Sequence, residues 1–183
     1  MGDRPHPALS RITTLHTLGP SGTNCELAAR RWFGRAGTAG WVVLHPTLED
    51  AADRVADSPG AALVACAAYP DLHTLIYSRL GRLTIVDCMM MPTHNMVIAR
   101  RRGAPTLESI SVHHAPEALV PDTFPTRLPA LSNSAAARSC RAGAADACIT
   151  TMPAAIREGL EILHDFGPVT LSFSVHIRVH AAP

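Results

Sequence analysis

Residues 61–67 are apolar at every position, and this run constrains the fold more than any other feature of the sequence. A strand with one face in solvent alternates apolar and polar residues, whereas a strand covered on both faces is apolar throughout. Strands of the second kind belong to parallel sheets that carry helices on both sides. The run therefore predicts an α/β fold with this segment as a central strand.

Strand and helix patterns alternate along the rest of the chain, as α/β architecture requires. The change of grouping near residues 100–105 predicts two lobes, residues 1–100 with 170–183 and residues 101–169, with a ligand cleft between them. Strand patterns cover residues 12–18, 41–44, 83–90, 95–100, 109–112, 147–150, 161–164 and 171–179. Helical patterns cover residues 26–33, 47–56, 114–120, 134–142 and 153–159.

Composition narrows the possible chemistry. The chain is 47% hydrophobic and 17% charged, values that fit a protein with a buried core. All 16 basic residues are arginine, so no lysine is present to form a Schiff base with a keto acid or with pyridoxal phosphate. The only basic run, residues 100–102, is too short to indicate a nucleic-acid-binding surface. We therefore expect no nucleic-acid partner.

Cysteine and histidine patterns indicate neither disulfides nor metal binding. The five cysteines are odd in number and lack CxxC spacing, and the ten histidines lack an HExxH pattern. Residues 1–11 do not resemble a signal peptide, and no apolar stretch is long enough to span a bilayer. These features predict a cytoplasmic protein without metal, organic cofactor or membrane contact.

The clearest motif is Gly19-Pro20-Ser21-Gly22-Thr23, which lies between a strand pattern and a helical pattern. The glycines permit a tight turn, and the hydroxyls and backbone N–H groups lie at a helix N-terminus, where a carboxylate or phosphate binds favourably. From the spacing alone, an ordinary turn between a strand and a helix remains an open alternative.

Four segments in the same order resemble the prephenate dehydratase superfamily, and together they span roughly residues 13–180. Residues 18–23 are similar to its GPxGT opening, residues 91–97 to its L-P-I-x-H/N block, residues 132–137 to its S-T-x-A-A block, and residues 147–163 to its A-A-I-A…Y-G-L-x-V-L block. The resemblance implies a two-lobed fold of the periplasmic-binding-protein type II kind. No regulatory ACT domain is expected after residue 183.

Two segments depart from the dehydratase pattern. Leu171-Ser172-Phe173 stands where dehydratases carry Thr-Arg-Phe, and residues 65–69 lack the acid and amide of the family's P-x-E-N-S segment. Loss of positioned acid catalysis costs about 10²- to 10⁴-fold in rate, so efficient dehydration is not expected. The chain instead resembles the short prephenate decarboxylases of the bacilysin-pathway type, which lack an ACT domain.

That resemblance implies a cofactor-independent carbon–carbon lyase that decarboxylates prephenate, or a close relative, without aromatisation in specialised metabolism. A dehydratase or other ring-modifying lyase, and a non-catalytic binder of small carboxylates, remain open alternatives. The resemblance also implies a homodimer. The implied catalytic residues are Ser172, Ser174, Tyr69 and His114. The implied substrate-binding residues are Ser21, Gly22, Thr23, Asn24, Ser132, Asn133, Ser134 and Phe173.

Overall fold

A computed structural model describes residues 6–104 and 107–179 of the 183-residue chain. The strands are β1 (Thr14–Leu18), β2 (Trp41–His45), β3 (Ala61–Cys66), β4 (Leu83–Arg100), β5 (Ser109–His113), β6 (Thr126–Ala130), β7 (Ala147–Thr151) and β8 (Glu161–Arg178). The helices are α1 (Asn24–Ala36), α2 (Leu48–Asp57), α3 (Leu72–Ser78), α4 (Asn133–Arg141) and α5 (Met152–Arg157), with 3-10 turns at Leu9–Arg11 and Glu117–Leu119. The chain divides into unit 1 (Met1–Met91 with Thr170–Pro183) and unit 2 (Pro92–Val169).

Unit 1 is built on three parallel strands in the order β2-β1-β3, followed by β8, which is antiparallel to β3, and then by β4. Helices cover both faces of this sheet. On one face α1 buries Trp32 and Ala29 against Leu15 and Val64. On the other face α2 packs in a separate cluster that includes Leu63. This two-sided cover explains why β3 is buried along its whole length, as its apolar sequence predicts.

Unit 2 has parallel strands in the order β7-β5-β6, with β4 antiparallel to β7. Helices α4 and α5 pack on one face through small side chains such as Ala136 and Ala154, which contact Val97 and Cys148. The other face carries a second apolar cluster that includes Ile110 and Phe124. The small residues on α4 and α5 let these short helices approach the sheet closely.

The long strands β4 and β8 correct the predicted elements. A break was predicted at residues 91–93, yet β4 runs continuously through the exposed Pro92. Likewise β8 is one strand from Glu161, although Gly167 has a φ of +78°. Proline has no backbone N–H, so it fits a strand at a position where no ladder hydrogen bond is required from its nitrogen. Glycine tolerates the left-handed backbone conformation. The strand ends predicted from the positions of proline and glycine are therefore wrong.

Three shorter elements also differ from prediction. Residues 114–120 were predicted as a helix, but only the 3-10 turn Glu117–Leu119 forms. Helix α3 and strand β6 were not predicted. Strand β6 contains Pro129 and lies at the sheet edge of unit 2, the position at which a strand tolerates proline. Among the described residues, no helix is long and apolar enough to cross a membrane.

Candidate functional site

The turn between β1 and α1 is organised by the carboxylate of Glu26. Its Oε2 atom accepts hydrogen bonds from the Ser21 hydroxyl at 2.8 Å and from the Gly22 backbone N–H at 2.7 Å. Its Oε1 atom accepts from Arg30 Nε at 3.1 Å and Nη2 at 2.7 Å. An anion therefore does occupy this helix N-terminus, and it is the protein's own side chain.

These contacts set the charge of Glu26. Burial acts to raise its pKa, but the donors from Gly22, Arg30 and Ser21 outweigh burial and lower it. Glu26 is thus an anion at neutral pH. It is not among the site residues predicted from sequence, although the spacing Thr23-x-x-Glu26 is that of a capping box and would have indicated it.

Thr23 is the N-cap of α1. Its Oγ1 atom accepts the Glu26 backbone N–H at 3.3 Å and donates to the Leu18 carbonyl at 3.1 Å, and Asn24 is the first helical residue. The predicted substrate-binding group at residues 21–24 is therefore brought together at one helix end. Its Ser21 hydroxyl and Gly22 N–H donate to Glu26.

The carboxyl end of β3 lies beside the start of the unit 1 part of β8. Cys66 is the register partner of Phe173, and the Ala67 backbone N–H donates to the Ser172 carbonyl at 3.0 Å. Phe173 is fully buried in the cluster that includes α1, whereas Ser172 is exposed. Phe173 is therefore a core residue, and Ser172 is the one accessible to a ligand.

Ser174 and His176 are paired on the same face of β8. The Ser174 Oγ and His176 Nε2 atoms are 2.7 Å apart, and His176 is only 2% exposed. Burial lowers the pKa of His176 to about 4, so its ring is neutral at pH 7. Ser174 was predicted from sequence and His176 was not. Their spacing of two residues on a strand places both side chains on one face and could have indicated the pair.

Tyr69 follows β3 and is tied to α2. Its hydroxyl donates to Glu49 Oε2 at 2.8 Å. Burial, reinforced by this hydrogen bond and the charge of Glu49, raises the pKa of Tyr69 to about 12. The phenol therefore stays protonated at neutral pH and is a weak acid. The hydrogen bond to Glu49 gives Tyr69 a structural function beside the predicted catalytic one.

In unit 2, Ser132 caps α4. Its Oγ atom accepts the Ala135 backbone N–H at 3.1 Å, and the Asn133 carbonyl accepts the Thr150 hydroxyl at 2.7 Å. Ser134 is buried, with its hydroxyl 3.5 Å from Arg157 Nη2. The Asn133 side-chain oxygen is buried and has no hydrogen-bond partner among the described residues. A polar atom of this kind is costly unless a ligand or solvent satisfies it.

The histidines after β5 differ in their surroundings. His113 is partly buried and its Nδ1 accepts the Ala115 backbone N–H at 3.3 Å. Burial, with a smaller effect from His114, lowers the pKa of His113. His114 is exposed, and its Nδ1 lies 3.7 Å from Glu117 Oε2 in an ion pair that forms when the ring is protonated. The contact of His114 is thus local to this turn.

The predicted site residues fall into two groups. Residues 21–24, Tyr69 and residues 172–174 belong to unit 1, and residues 132–134 with His114 belong to unit 2. Within the described residues, no group of three or more histidine, cysteine or acidic side chains could hold a metal ion.

Comparison with known proteins identifies the fold. No family model and no curated protein matches the chain. Among solved structures, the quorum-quenching acylase GqqA is 19% identical with a TM-score of 0.65, over 92% of this chain. A prephenate dehydratase from Staphylococcus aureus is 14% identical with a TM-score of 0.66, over 90% of this chain. The chain spans 65% and 66% of the lengths of those two proteins.

Binding proteins share the same fold. An R. palustris protein solved with adipate is 14% identical with a TM-score of 0.60, and the match covers 91% of this chain and 76% of that protein. A periplasmic substrate-binding protein of an ABC transporter from Coxiella burnetii is 18% identical with a TM-score of 0.55, over 91% of this chain and 84% of its own. The predicted α/β fold of the periplasmic-binding-protein type II kind is thereby confirmed.

Proposed function

We propose that this chain decarboxylates prephenate, or a closely related cyclohexadienyl carboxylate, without aromatising the ring. Loss of the ring carboxylate leads to an aromatic product when the ring hydroxyl departs as water. An enzyme that keeps the hydroxyl must withhold a proton from it and protonate a ring carbon instead. The proposal rests on unit 1 withholding a proton from the ring hydroxyl.

The supporting observation is the pairing of β3 with β8. The two segments that depart from the dehydratase pattern are neighbours, because the Ala67 N–H bonds to the Ser172 carbonyl at 3.0 Å. Residues 65–69 and 171–173 thus bring alanine, cysteine, tyrosine, leucine, serine and phenylalanine to one end of the sheet, without a carboxylate or a carboxamide. The carboxyl ends of the parallel strands β1 and β3 lie at that end, where ligands of α/β proteins bind. Both segments that differ from the dehydratase motifs lie at the same place in the fold. This favours a changed reaction rather than an isolated substitution.

The protonation states of the nearby groups agree with this proposal. Glu26 is ionised, His176 is neutral, and Tyr69 holds its proton with a pKa of about 12. None of these three groups donates a proton readily at pH 7, and a positioned proton donor contributes about 10²- to 10⁴-fold to expulsion of a hydroxyl as water. In this proposal the ring carbon takes its proton from water. The same groups can position a substrate by hydrogen bonding.

Unit 2 contributes a hydrogen-bond acceptor of its own. The buried amide oxygen of Asn133 has no partner among the described residues and can accept a hydrogen bond from a ligand hydroxyl without protonating it. In unit 2, Ser132 lies at the N-terminus of α4, which favours a small carboxylate. In unit 1, Thr23 and Asn24 contact polar groups of the substrate in this proposal. Ser172 and Ser174 contact the ring in this proposal.

The test is product identity. Purified protein is incubated with prephenate, and the product is examined by absorbance and mass. Loss of CO2 with the hydroxyl retained supports the proposal, and rapid formation of phenylpyruvate contradicts it. Asn133→Ala is expected to weaken ligand binding by about 5-fold, since a hydrogen bond contributes about 1 kcal/mol. Thr38→Ala is the matched control because Thr38 also carries a buried hydroxyl without a partner among the described residues.

A non-catalytic carboxylate binder is the second candidate. The support for it is the structural similarity to the R. palustris protein solved with adipate and to the Coxiella substrate-binding protein. A binder stabilises its folded state with ligand but leaves the ligand unchanged. A thermal shift with prephenate or adipate and unchanged ligand by mass would establish this function in place of the lyase.

A further inference from the structure

The pair formed by Ser174 and His176 has the geometry of a nucleophile beside its base. The two reactive atoms are 2.7 Å apart, within the range of a short hydrogen bond. Ser174 is partly exposed, so a small molecule can reach its hydroxyl, whereas His176 is 2% exposed and shielded from solvent. Ser174 is therefore the side chain that contacts the substrate, and His176 hydrogen-bonds to Ser174 from the buried side.

The strand holds this pair rigidly. Ser174 and His176 are the register partners of Ala65 and Leu63 on β3, and both belong to a ladder buried on this side of unit 1. Their neighbours Phe173 and Val175 point to the opposite face and are fully buried in the core that includes α1. Packing on both faces fixes the backbone, and a fixed backbone keeps the two side chains aligned.

We propose that Ser174 is an acyl-accepting nucleophile and His176 its general base, giving the protein an esterase activity toward small carboxylic esters. This activity requires no prephenate chemistry and stands whether or not the proposed decarboxylation holds.

The reaction balances with water as the only co-reactant. Ser174 Oγ bonds to the ester carbonyl carbon while its proton moves to His176 Nε2. The tetrahedral adduct collapses, the bond from carbon to the alcohol oxygen breaks, and the departing alcohol takes the proton from Nε2. Water then adds to the acyl-serine, again passing a proton through Nε2, and the carboxylic acid leaves with Ser174 restored.

The protonation state of the ring suits this cycle at neutral pH. Burial lowers the pKa of His176 to about 4, so the ring is neutral, and in the tautomer with the proton on Nδ1 its Nε2 accepts the serine proton. A base with so low a pKa is weak, and the expected turnover is correspondingly slow. Accumulation of the acyl-serine is therefore the most sensitive readout.

Two probes test the proposal on the whole chain. The protein is treated with a fluorophosphonate and, separately, with p-nitrophenyl acetate, and the modified residue is found by peptide mass spectrometry. An adduct on Ser174 and a burst of nitrophenol equal to the protein concentration are expected. No adduct, or an adduct on the more exposed Ser172, would overturn the proposal.

Variants separate this chemistry from folding. Ser174→Ala should abolish the adduct, and substitution of another exposed serine, Ser10→Ala, should keep the adduct on Ser174. His176→Gln preserves a polar group near Ser174 but removes the base, and the labelling rate is expected to fall at least about 100-fold. Thermal unfolding establishes that each variant is folded. Labelling of folded His176→Gln at the wild-type rate would show that His176 only fills a polar position in the core.

Discussion

Gly22 donates its backbone N–H to the Glu26 carboxylate at 2.7 Å, closing the turn between β1 and α1. This relationship changes how the glycine-containing motif is understood. The motif was predicted to hold a ligand anion, and the acidic residue in the first turn of α1 occupies part of that position. Any ligand in unit 1 is therefore expected to meet a negative charge near residues 21 and 22, and Arg30 partly offsets it.

The carboxylate of Glu26 should stabilise the fold. Glu26→Ala removes the acceptor for Gly22 and Ser21, and we expect a loss of about 2 kcal/mol in the free energy of unfolding at pH 7. The lowered pKa means that this contribution is present above the usual pKa of about 4.5 and is lost as pH falls below it. Urea denaturation at pH 7 and pH 3 measures both effects. The exposed Glu108→Ala is the control, and an equal loss there would contradict the prediction.

Ser132 should contribute to stability and to ligand affinity. Ser132→Ala removes the N-cap of α4, and Thr47→Ala removes the equivalent cap of α2, where Thr47 accepts the Asp50 N–H at 3.0 Å. Each substitution is expected to cost about 1 kcal/mol of stability. Only Ser132→Ala should also weaken the binding of a small carboxylate, as measured by calorimetry. Unchanged affinity and kinetics in both Ser132→Ala and Thr23→Ala would exclude the proposed binding site.

His176 should make the protein sensitive to acid. Its pKa is lowered from 6.5 to about 4 by burial, so the unfolded chain binds a proton that the folded chain does not. Stability from this group is complete above pH 6.5 and is lost as pH falls toward 4, by about 3 kcal/mol in total. The loss on acidification should be smaller by that amount in His176→Gln, measured by denaturation at pH 7 and pH 4. Identical losses in both proteins would show that His176 titrates normally.

Two glycines should respond oppositely to alanine. A Cβ at Gly40 would lie 2.3 Å from the Thr13 carbonyl oxygen and 2.5 Å from Phe33 Cζ, so Gly40→Ala is expected to destabilise by about 3 kcal/mol. At Gly34, inside α1, a Cβ meets nothing within 4 Å, and Gly34→Ala should stabilise by about 0.5–1 kcal/mol. Thermal unfolding of the two variants gives the comparison, and a stabilised Gly40→Ala would contradict the close approach.

Many strands and helices of the fold were predictable because the sequence signals for them are local. A continuous apolar run located β3, and Thr47 as a helix cap marked the start of α2. The ends of β4 were not predictable, because Pro92 normally ends a strand and only its exposed position in the sheet allows β4 to continue. Strand ends of this kind depend on tertiary neighbours, which the local sequence does not encode.

The candidate site was only partly predictable for a related reason. Ser132 and Thr23 were identified because they lie at helix starts, where residue type and position agree. The neutral state of His176 and the unpartnered oxygen of Asn133 depend on burial by segments distant in sequence. Similarly, the register of Cys66 with Phe173 is what brings the two altered segments together. Residue identity was visible in the sequence, and the surroundings that give each residue its chemistry were not.

The order of strands in unit 1 has a consequence for synthesis of the protein on the ribosome. The part of β8 that pairs with β3, residues 173–177, belongs to unit 1, yet it is translated after all of unit 2. Until it emerges, the edge of β3 is left without its final neighbour, and an apolar strand edge of this kind invites aggregation. Unit 2 is continuous in the chain and can complete its sheet first. A nascent chain whose β8 is still inside the ribosome should therefore require chaperone protection of unit 1, and the chain released from the ribosome should not.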